Sequence, residues 1–278
     1  MSIKKEFYFS NEHFEKIRSI VTTHSGIVLT DAKQDMVYSR LIRRLRKTGL
    51  GTFDEYCQLL EDSQHSEFTH FINAITTNLT SFFRENHHFE ILANQVLPKI
   101  IEKNNHIKRL RIWSAGCSTG METYSIAIVV KEFMANRPDW DVKILATDLD
   151  TDVIETAANG VYELDKITGV SEQRYHTWFR QGSGVNAEKV KISKELKSLI
   201  SFKQLNLLEP FPFSGVMDII FCRNVVIYFD KDTQRILFDK FANIHDSSGY
   251  LFIGHSETLY NVTNRYKLLK NTVYQKTQ

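Results

Sequence analysis

Two glycines and an aspartate in the middle of the chain have the types and spacing to hold a small ligand. Gly116 and Gly120 are four apart, and Asp148 follows the second by 28 positions. Glycines let the backbone turn tightly and pass close to a ligand, and the amides of the helix start that follows can serve polar or anionic groups. A carboxylate at the tip of the next strand can accept both hydroxyls of a ribose. The pattern is G-x-x-x-G, without the third glycine of dinucleotide folds, and nicotinamide enzymes keep the acid only about 20 residues past their glycines. Both departures disfavour a pyrophosphate cofactor. A nucleoside without phosphates fits better, and S-adenosylmethionine is the common one. Asp148 and the nearby Asp150 also have a plainer reading, as caps of a helix beginning near Thr151.

To present these groups the chain needs a strand, a tight turn and a helix. Leu110-Arg111-Ile112-Trp113 is a short β-rich run that breaks at the small residues Ser114 to Gly120. Apolar residues then recur with helical period at Tyr124, Ile126, Ala127, Val130 and Phe133. A second apolar strand, Val142 to Ala146, ends at Asp148, and a helix from Asp152 to Asn159 ends at Gly160. Met217 to Cys222 and Gly249 to His255 read as further strands, Asp232 as the cap of a helix through Phe241, and Tyr266 to Tyr274 as a last strand or pair. Asn206 and Leu207 follow a strand where such folds contact the adenine ring, and Arg223 and Asn224 leave the strand that ends at Cys222. Open α/β sheets place their ligands at these strand ends.

Ahead of the glycine strand, Thr77 to Glu85 mixes polar side chains with aromatics at no steady period. Buried polar groups need partners, so this run is a source of ligand contacts. Before it the chain reads as helices, near Asn11 to Val21, Ala32 to Lys47, Phe53 to Leu60 after Thr52, and Glu67 to Thr76. Thr30 or Asp31 would cap the second, which carries six basic residues against one acid, Asp35. Arg40, Arg43, Arg44 and Lys47 recur at i, i+3, i+4 and i+7 and form one stripe, while Met36, Val37, Leu41 and Leu45 can face a core. Such a stripe is either a solvated face or, because its positives are uncompensated, a surface for an acidic partner. Between Val170 and Lys203 the alternation Val190/Ile192 and the turn Gly182-Ser183-Gly184 suggest a small antiparallel sheet, with an edge open to an extended peptide.

The expected fold class is α/β: a Rossmann-like domain that binds S-adenosylmethionine, an N-terminal all-α domain and a small antiparallel β insertion. The expected boundaries are 1–80, 81–278 and, within the latter, 170–203. At 42% apolar and 24% charged, the 278-residue chain has the composition of an ordinary globular protein. A net charge of +2 gives nucleic acid no argument, and the basic helix lacks interleaved aromatics. No run has membrane-span length, so a cytoplasmic protein without direct membrane insertion is expected. Cys57, Cys117 and Cys222 lie far apart and read as free thiols. No metal site is expected, since the adjacent His87 and His88 do not share a helix face.

Four segments together resemble the chemotaxis receptor methyltransferases (CheR). They are Thr77-Asn78-Leu79-Thr80-Ser81-Phe82-Phe83-Arg84-Glu85, Trp113-Ser114-Ala115-Gly116-Cys117-Ser118-Thr119-Gly120, Phe221-Cys222-Arg223-Asn224-Val225-Val226-Ile227-Tyr228-Phe229-Asp230 and Gly254-His255-Ser256-Glu257. The likeness covers nearly the whole chain. One stretch departs from it: where the family usually has Gly-Glu-Glu-Pro-Tyr-Ser, this chain has Gly120-Met121-Glu122-Thr123-Tyr124-Ser125. The resemblance implies methyl transfer from S-adenosylmethionine, leaving S-adenosylhomocysteine, to glutamate side chains of transmembrane chemoreceptors. It also implies that Asn78, Thr80, Arg84, Glu122, Asp148, Asn206, Leu207, Arg223 and Asn224 line the cofactor site. Arg84 and Tyr228 would lie nearest the chemistry, and Arg40, Arg43, Arg44 and Lys47 would meet the receptor's cytoplasmic region. In some members the small sheet docks a pentapeptide at the receptor's C-terminus, which would bring Trp178 or Phe179 near the contact. A monomer is expected. The alternatives are a methyltransferase for another acceptor and a non-catalytic binding module.

Overall fold

The computed structural model describes residues 6–277 in two compact units. One comprises the described residues up to Thr77 together with Tyr228–Asp230, and the other Asn78–Ile227 with Lys231 onward. Asn78, Leu79 and Thr80 therefore fall in the second unit, although the expected boundary at 80 put them in the first. Among the described residues no helix is long and apolar enough to cross a membrane.

The first unit is helical for local reasons. Ser10 and His13 cap α1 (Asn11–Ser25) reciprocally, and Gly26 ends it at φ 72°. α2 (Gln34–Thr48) buries Val37, Leu41 and Leu45 along one stripe. It is preceded by a 3-10 turn, Asp31–Lys33, so neither Thr30 nor Asp31 caps it; the Asp31 carboxylate pairs with Arg18 instead. Thr52 and Glu55 form a capping box at α3 (Phe53–Leu59), and His65 caps α4 (Ser66–Ile75). Phe53, Tyr56 and Phe71 are fully buried among these helices.

In the second unit α5 (His87–Ile91), a π turn and α6 (Leu97–Lys103) lead into β1 (Arg109–Ala115) and α7 (Met121–Phe133). There follow β2 (Asp141–Asp148), α8 (Thr151–Asn159), β3 (Val161–Glu163), α9 (Glu172–Trp178), β4 (Phe179–Gln181), β5 (Lys189–Ile192), α10 (Lys194–Lys197) and β6 (Ile200–Gln204). The chain closes with β7 (Met217–Cys222), α11 (Lys231–Ile244), β8 (His245–Ile253), β9 (Tyr266–Lys270) and β10 (Val273–Lys276). The seven-stranded sheet has the order β6-β2-β1-β7-β8-β10-β9. From β6 to β8 the strands are parallel, and β10 and β9 add an antiparallel pair. Every residue of β7 is buried, as a central parallel strand covered on both faces requires.

Three expectations need correcting. Ile200–Gln204 does not belong to the small sheet: it pairs in parallel with β2 at the edge of the large one. The small sheet is β3-β5-β4 and recruits Val161–Glu163, which precedes the expected insertion. A three-residue strand carries too little alternation to be read from sequence. Asp232 lies inside the first turn of α11, which begins at Lys231.

Candidate functional site

The four neighbouring strands β6, β2, β1 and β7 run parallel, so their C-terminal ends open on the same side of the sheet. The chain reverses its order there, going outward from β1 to β2 and β6 and then back to β7, which makes a topological switch point.

At the end of β1 the turn is fixed by Gly116 and Cys117 donating to Thr147 O at 2.8 and 2.9 Å, and by Gly120 donating to Cys117 O at 2.9 Å. Gly116 and Gly120 sit at φ 85° and 87°. A Cβ on Gly116 would lie 2.4 Å from Val225 Cγ2, and one on Gly120 would lie 2.8 Å from Ala157 Cβ. Both glycines are thus required by backbone conformation and by close protein packing.

Asp148 ends β2. Its Oδ2 accepts from Ser118 N at 2.8 Å and its Oδ1 from Asp150 N at 3.1 Å. Burial raises its pKa, and the amides of Asp150 and Ser118 oppose the rise. Each carboxylate oxygen keeps a second lone pair for a hydroxyl donor. Asp150 has the capping role: its carboxylate accepts from Asp152 N and Val153 N, at 2.9 and 3.3 Å, at the start of α8. Its other oxygen accepts from Asn78 Nδ2 at 2.7 Å, and Ser118 Oγ donates to Asn78 O at 2.9 Å. Asn78, Ser118, Asp148 and Asp150 thus form one bonded cluster. Leu205 N donates to Asp148 O at 2.9 Å, which sets Asn206 and Leu207 beside the aspartate. Asn206 Oδ1 accepts from Leu208 N, and Lys240 Nζ donates to Leu207 O at 2.6 Å. Thr80 is half-buried between Leu79 and Ser81.

A second cluster surrounds Arg223 at the end of β7. Its side chain is 1% exposed and lies between Glu122, at 3.1 Å, and Glu85, at 3.3 Å. It also donates to Arg84 O. The guanidinium of Arg223 is therefore engaged in tying the Thr80–Glu85 loop to α7 and β7. Ser114 Oγ donates to Glu122 at 2.9 Å. Burial raises the Glu122 pKa, against the pull of Arg223 and Ser114. Burial would also raise Glu85, but His255 and Arg223 outweigh it and bring Glu85 down to about 2. Arg84 itself is half-buried, and its Nη1 donates to Leu79 O at 2.9 Å. Asn224 adopts φ 59°, and its amide donates to Glu257 at 3.0 Å.

Ser114, Ser118, Glu85 and Glu257 lie inside the family-like segments, but nothing in their type or spacing marks them as site residues. Adjacent residues diverge on a regular helix, which speaks against His87 and His88 sharing a ligand. In the structure one ligand atom each from Glu85, His87 and His88 come within 4.8 Å of one another, because the rings lie at a helix start. Cys117 and Cys222 are buried and free, and burial pushes both thiols well up, so neither is a nucleophile at neutral pH.

The remaining candidates lie in the first unit. Tyr228 is half-buried, and its carbonyl accepts from Val28 N at 2.8 Å. The basic stripe is not uniformly free. Arg40 Nη1 donates to Ile75 O and Thr76 O at 2.6 and 2.7 Å, and burial lowers its pKa. Arg44 makes a two-pronged pair with Glu67, at 2.8 and 2.6 Å, and Tyr56 Oη adds a bond to the same carboxylate. Helical spacing cannot show that Glu67 compensates Arg44. Arg43 and Lys47 are exposed. In the small sheet Phe179 is buried against Phe82, with ring centroids 5.3 Å apart, whereas Trp178 remains partly open.

Comparison with known proteins matches residues 12–76 to the family described as CheR methyltransferase, all-alpha domain, and residues 78–275 to CheR methyltransferase, SAM binding domain. The chain is 42% identical to the chemotaxis protein methyltransferase of Salmonella typhimurium, over 99% of this chain and 93% of that one. It is 40% identical to the Escherichia coli protein of the same name, over 99% and 94%. With that of Borreliella burgdorferi it shares 41%, over 90% and 89%.

Proposed function

The chain belongs to the CheR methyltransferase family, and from that premise we propose that its four parallel strand ends hold S-adenosylmethionine for methyl transfer to glutamate side chains of chemoreceptors. It is an S-adenosylmethionine-dependent methyltransferase of chemotaxis. The observation that carries the assignment of residues is the bonded cluster of Asp148, Ser118 and Asn78 at the switch point. In this reading Asp148 takes the ribose hydroxyls, Asn206 and Leu207 flank the adenine, and Asn78, Thr80, Glu122, Arg223 and Asn224 complete the wall. Glu122 and Glu85 bracket Arg223, so the pocket floor is not left with an unbalanced positive charge. That suits a cofactor carrying a sulfonium, and a nearby cation favours the ionised form of Glu122.

The reaction asks for little acid–base work. A glutamate carboxylate, with a pKa of about 4.3, is already ionised at neutral pH and needs no base. What the protein supplies is alignment in line with the methyl–sulfur bond and partial desolvation of the nucleophile. Arg84 orients the carboxylate. A tight grip would be counterproductive, because the carboxylate loses its charge during attack and the contact weakens in the transition state. Among the described residues β3 and β4 are the outer strands of the small sheet, and in our reading an extended C-terminal receptor peptide adds to one of them. Buried Phe179 supports that sheet from beneath, leaving Trp178 as the aromatic group available to the peptide. The enzyme acts as a monomer in the cytoplasm.

Calorimetry tests the cofactor assignment. S-adenosylhomocysteine should bind at one site per chain, and a nicotinamide dinucleotide should not compete; competition would return the site to the dinucleotide class. A titration with the receptor pentapeptide tests the tether, and no association at millimolar peptide would remove it.

A further inference from the structure

Glu257 is a buried carboxylate, 5% exposed, that follows Gly254 just past the end of β8. All four of its donors are main-chain amides. Asn224, Val225 and Ile227 donate at 3.0, 2.9 and 3.3 Å, and Gly254 donates to the same group. Three of the four belong to the turn that leaves β7. That turn opens with Asn224 at φ 59°, a left-handed conformation costly for most side chains and best tolerated by asparagine after glycine. Burial raises the Glu257 pKa and the four amides pull it down. Gly254 leaves the room the arrangement needs: a Cβ there would meet Asn224 Nδ2 at 2.5 Å and Glu257 Oε2 at 3.0 Å. The carboxylate therefore closes a bracket between the ends of β7 and β8. Successive amides converging on one buried anion fix the backbone more rigidly than a neutral acceptor could.

We propose that Glu257 is a positioning residue for cofactor binding: by gathering the amides of Asn224, Val225 and Ile227 it holds Asn224 in the left-handed conformation that presents its side chain to the cofactor. The inference rests on the assignment of Asn224 to the cofactor wall. It adds that the wall is set by a group that does not itself touch the ligand. Glutamine in place of Glu257 has the same length but loses the charge, and its NH2 group faces amides instead of accepting from them.

Glu257→Gln should weaken S-adenosylhomocysteine binding about tenfold and raise the cofactor KM by a similar factor, as expected for losing charge-assisted bonds. The kcat at saturating cofactor and the KM for receptor should stay near wild type, a split that general destabilisation does not produce. Asn224→Gly, which keeps the left-handed backbone and removes the side chain, should weaken binding to the same degree. The double variant should be no worse than the weaker single one, since both remove one contact. Normal affinity in Glu257→Gln, or losses that multiply in the double variant, would overturn the proposal. Normal affinity in Asn224→Gly would instead overturn the placement of Asn224 in the wall, and the proposal with it. Should Glu257→Gln not fold, Glu257→Asp keeps the charge but withdraws it from the amides. It should show the same KM-only defect, and unchanged cofactor binding in Glu257→Asp would be equally contrary.

Discussion

Replacing Asp148 by alanine separates the cofactor reading from the capping one. In the folded chain Asp148 accepts two amides, from Ser118 and Asp150. Losing both costs about 1–3 kcal/mol of stability, taking roughly 0.5–1.5 kcal/mol for each net hydrogen bond. That cost appears in the thermal unfolding of the ligand-free protein and says nothing about ligand. A ribose hydroxyl bonded to an ionised acceptor adds about 1.5–3 kcal/mol to binding, which corresponds to about 10- to 150-fold in the dissociation constant. Calorimetry with S-adenosylhomocysteine on Asp148→Ala, at a temperature where the variant is folded, should find a loss within that range. The neighbouring cap offers an internal control. Asp150→Ala removes two N-cap bonds from α8 and one bond to Asn78. It should therefore lower stability by about 1 kcal/mol or more with a smaller effect on affinity. A folded Asp148→Ala that binds with unchanged affinity would refute the argument that this carboxylate meets the ribose.

Reversing the exposed charges Arg43 and Lys47 to glutamate should slow methylation of receptor, and the wild-type rate should fall with added salt, while cofactor affinity stays constant; normal receptor kinetics would make the stripe a solvated face. Glu67→Ala should cost about 3 kcal/mol or more in denaturant unfolding, because Arg44 and Tyr56 lose the carboxylate they share in a nearly buried site. His88 is held at about 4 by burial and by Arg223, below its free value of 6.5, so its stabilising contribution is complete above pH 6.5 and is lost as pH falls through 4. Glu85, down at about 2, adds a further loss between pH 4.5 and 2. Unfolding free energies across this range should fall by about 1.4 kcal/mol per pH unit for each titrating group, and His88→Asn should flatten the upper part of the curve. Tyr228→Phe should lower kcat on receptor with little change in cofactor binding, as measured by calorimetry.

The parts of the fold that could be read from sequence are those set by local period and local punctuation. α3 starts after Thr52, α8 ends at Gly160, and β7 is an apolar run interrupted by Asp218 alone. What escaped reading depends on partners far along the chain. Ile200–Gln204 looks like any short apolar strand, and only its pairing with β2 assigns it to the large sheet. The same holds at the site. A strand-end aspartate after a glycine turn is visible at a glance, but its bond to Ser118 is not. Arg223 reads as a ligand contact at a strand end, yet its side chain is claimed by Glu85 and Glu122, residues 138 and 101 positions away. The stripe on α2 is a correct reading of helix geometry. Its net charge changes meaning only when Glu67, on α4, is brought against Arg44.

The central claim is that a methyl group passes from S-adenosylmethionine to a receptor carboxylate. Incubating the intact chain with methyl-labelled cofactor and a chemoreceptor membrane fraction, and then treating the labelled receptor with base, tests this most directly. A glutamyl methyl ester releases its label as volatile methanol, and Asp148→Ala should reduce that release at limiting cofactor. Label that survives base would mean a different acceptor, and absence of label would mean a binding module rather than an enzyme.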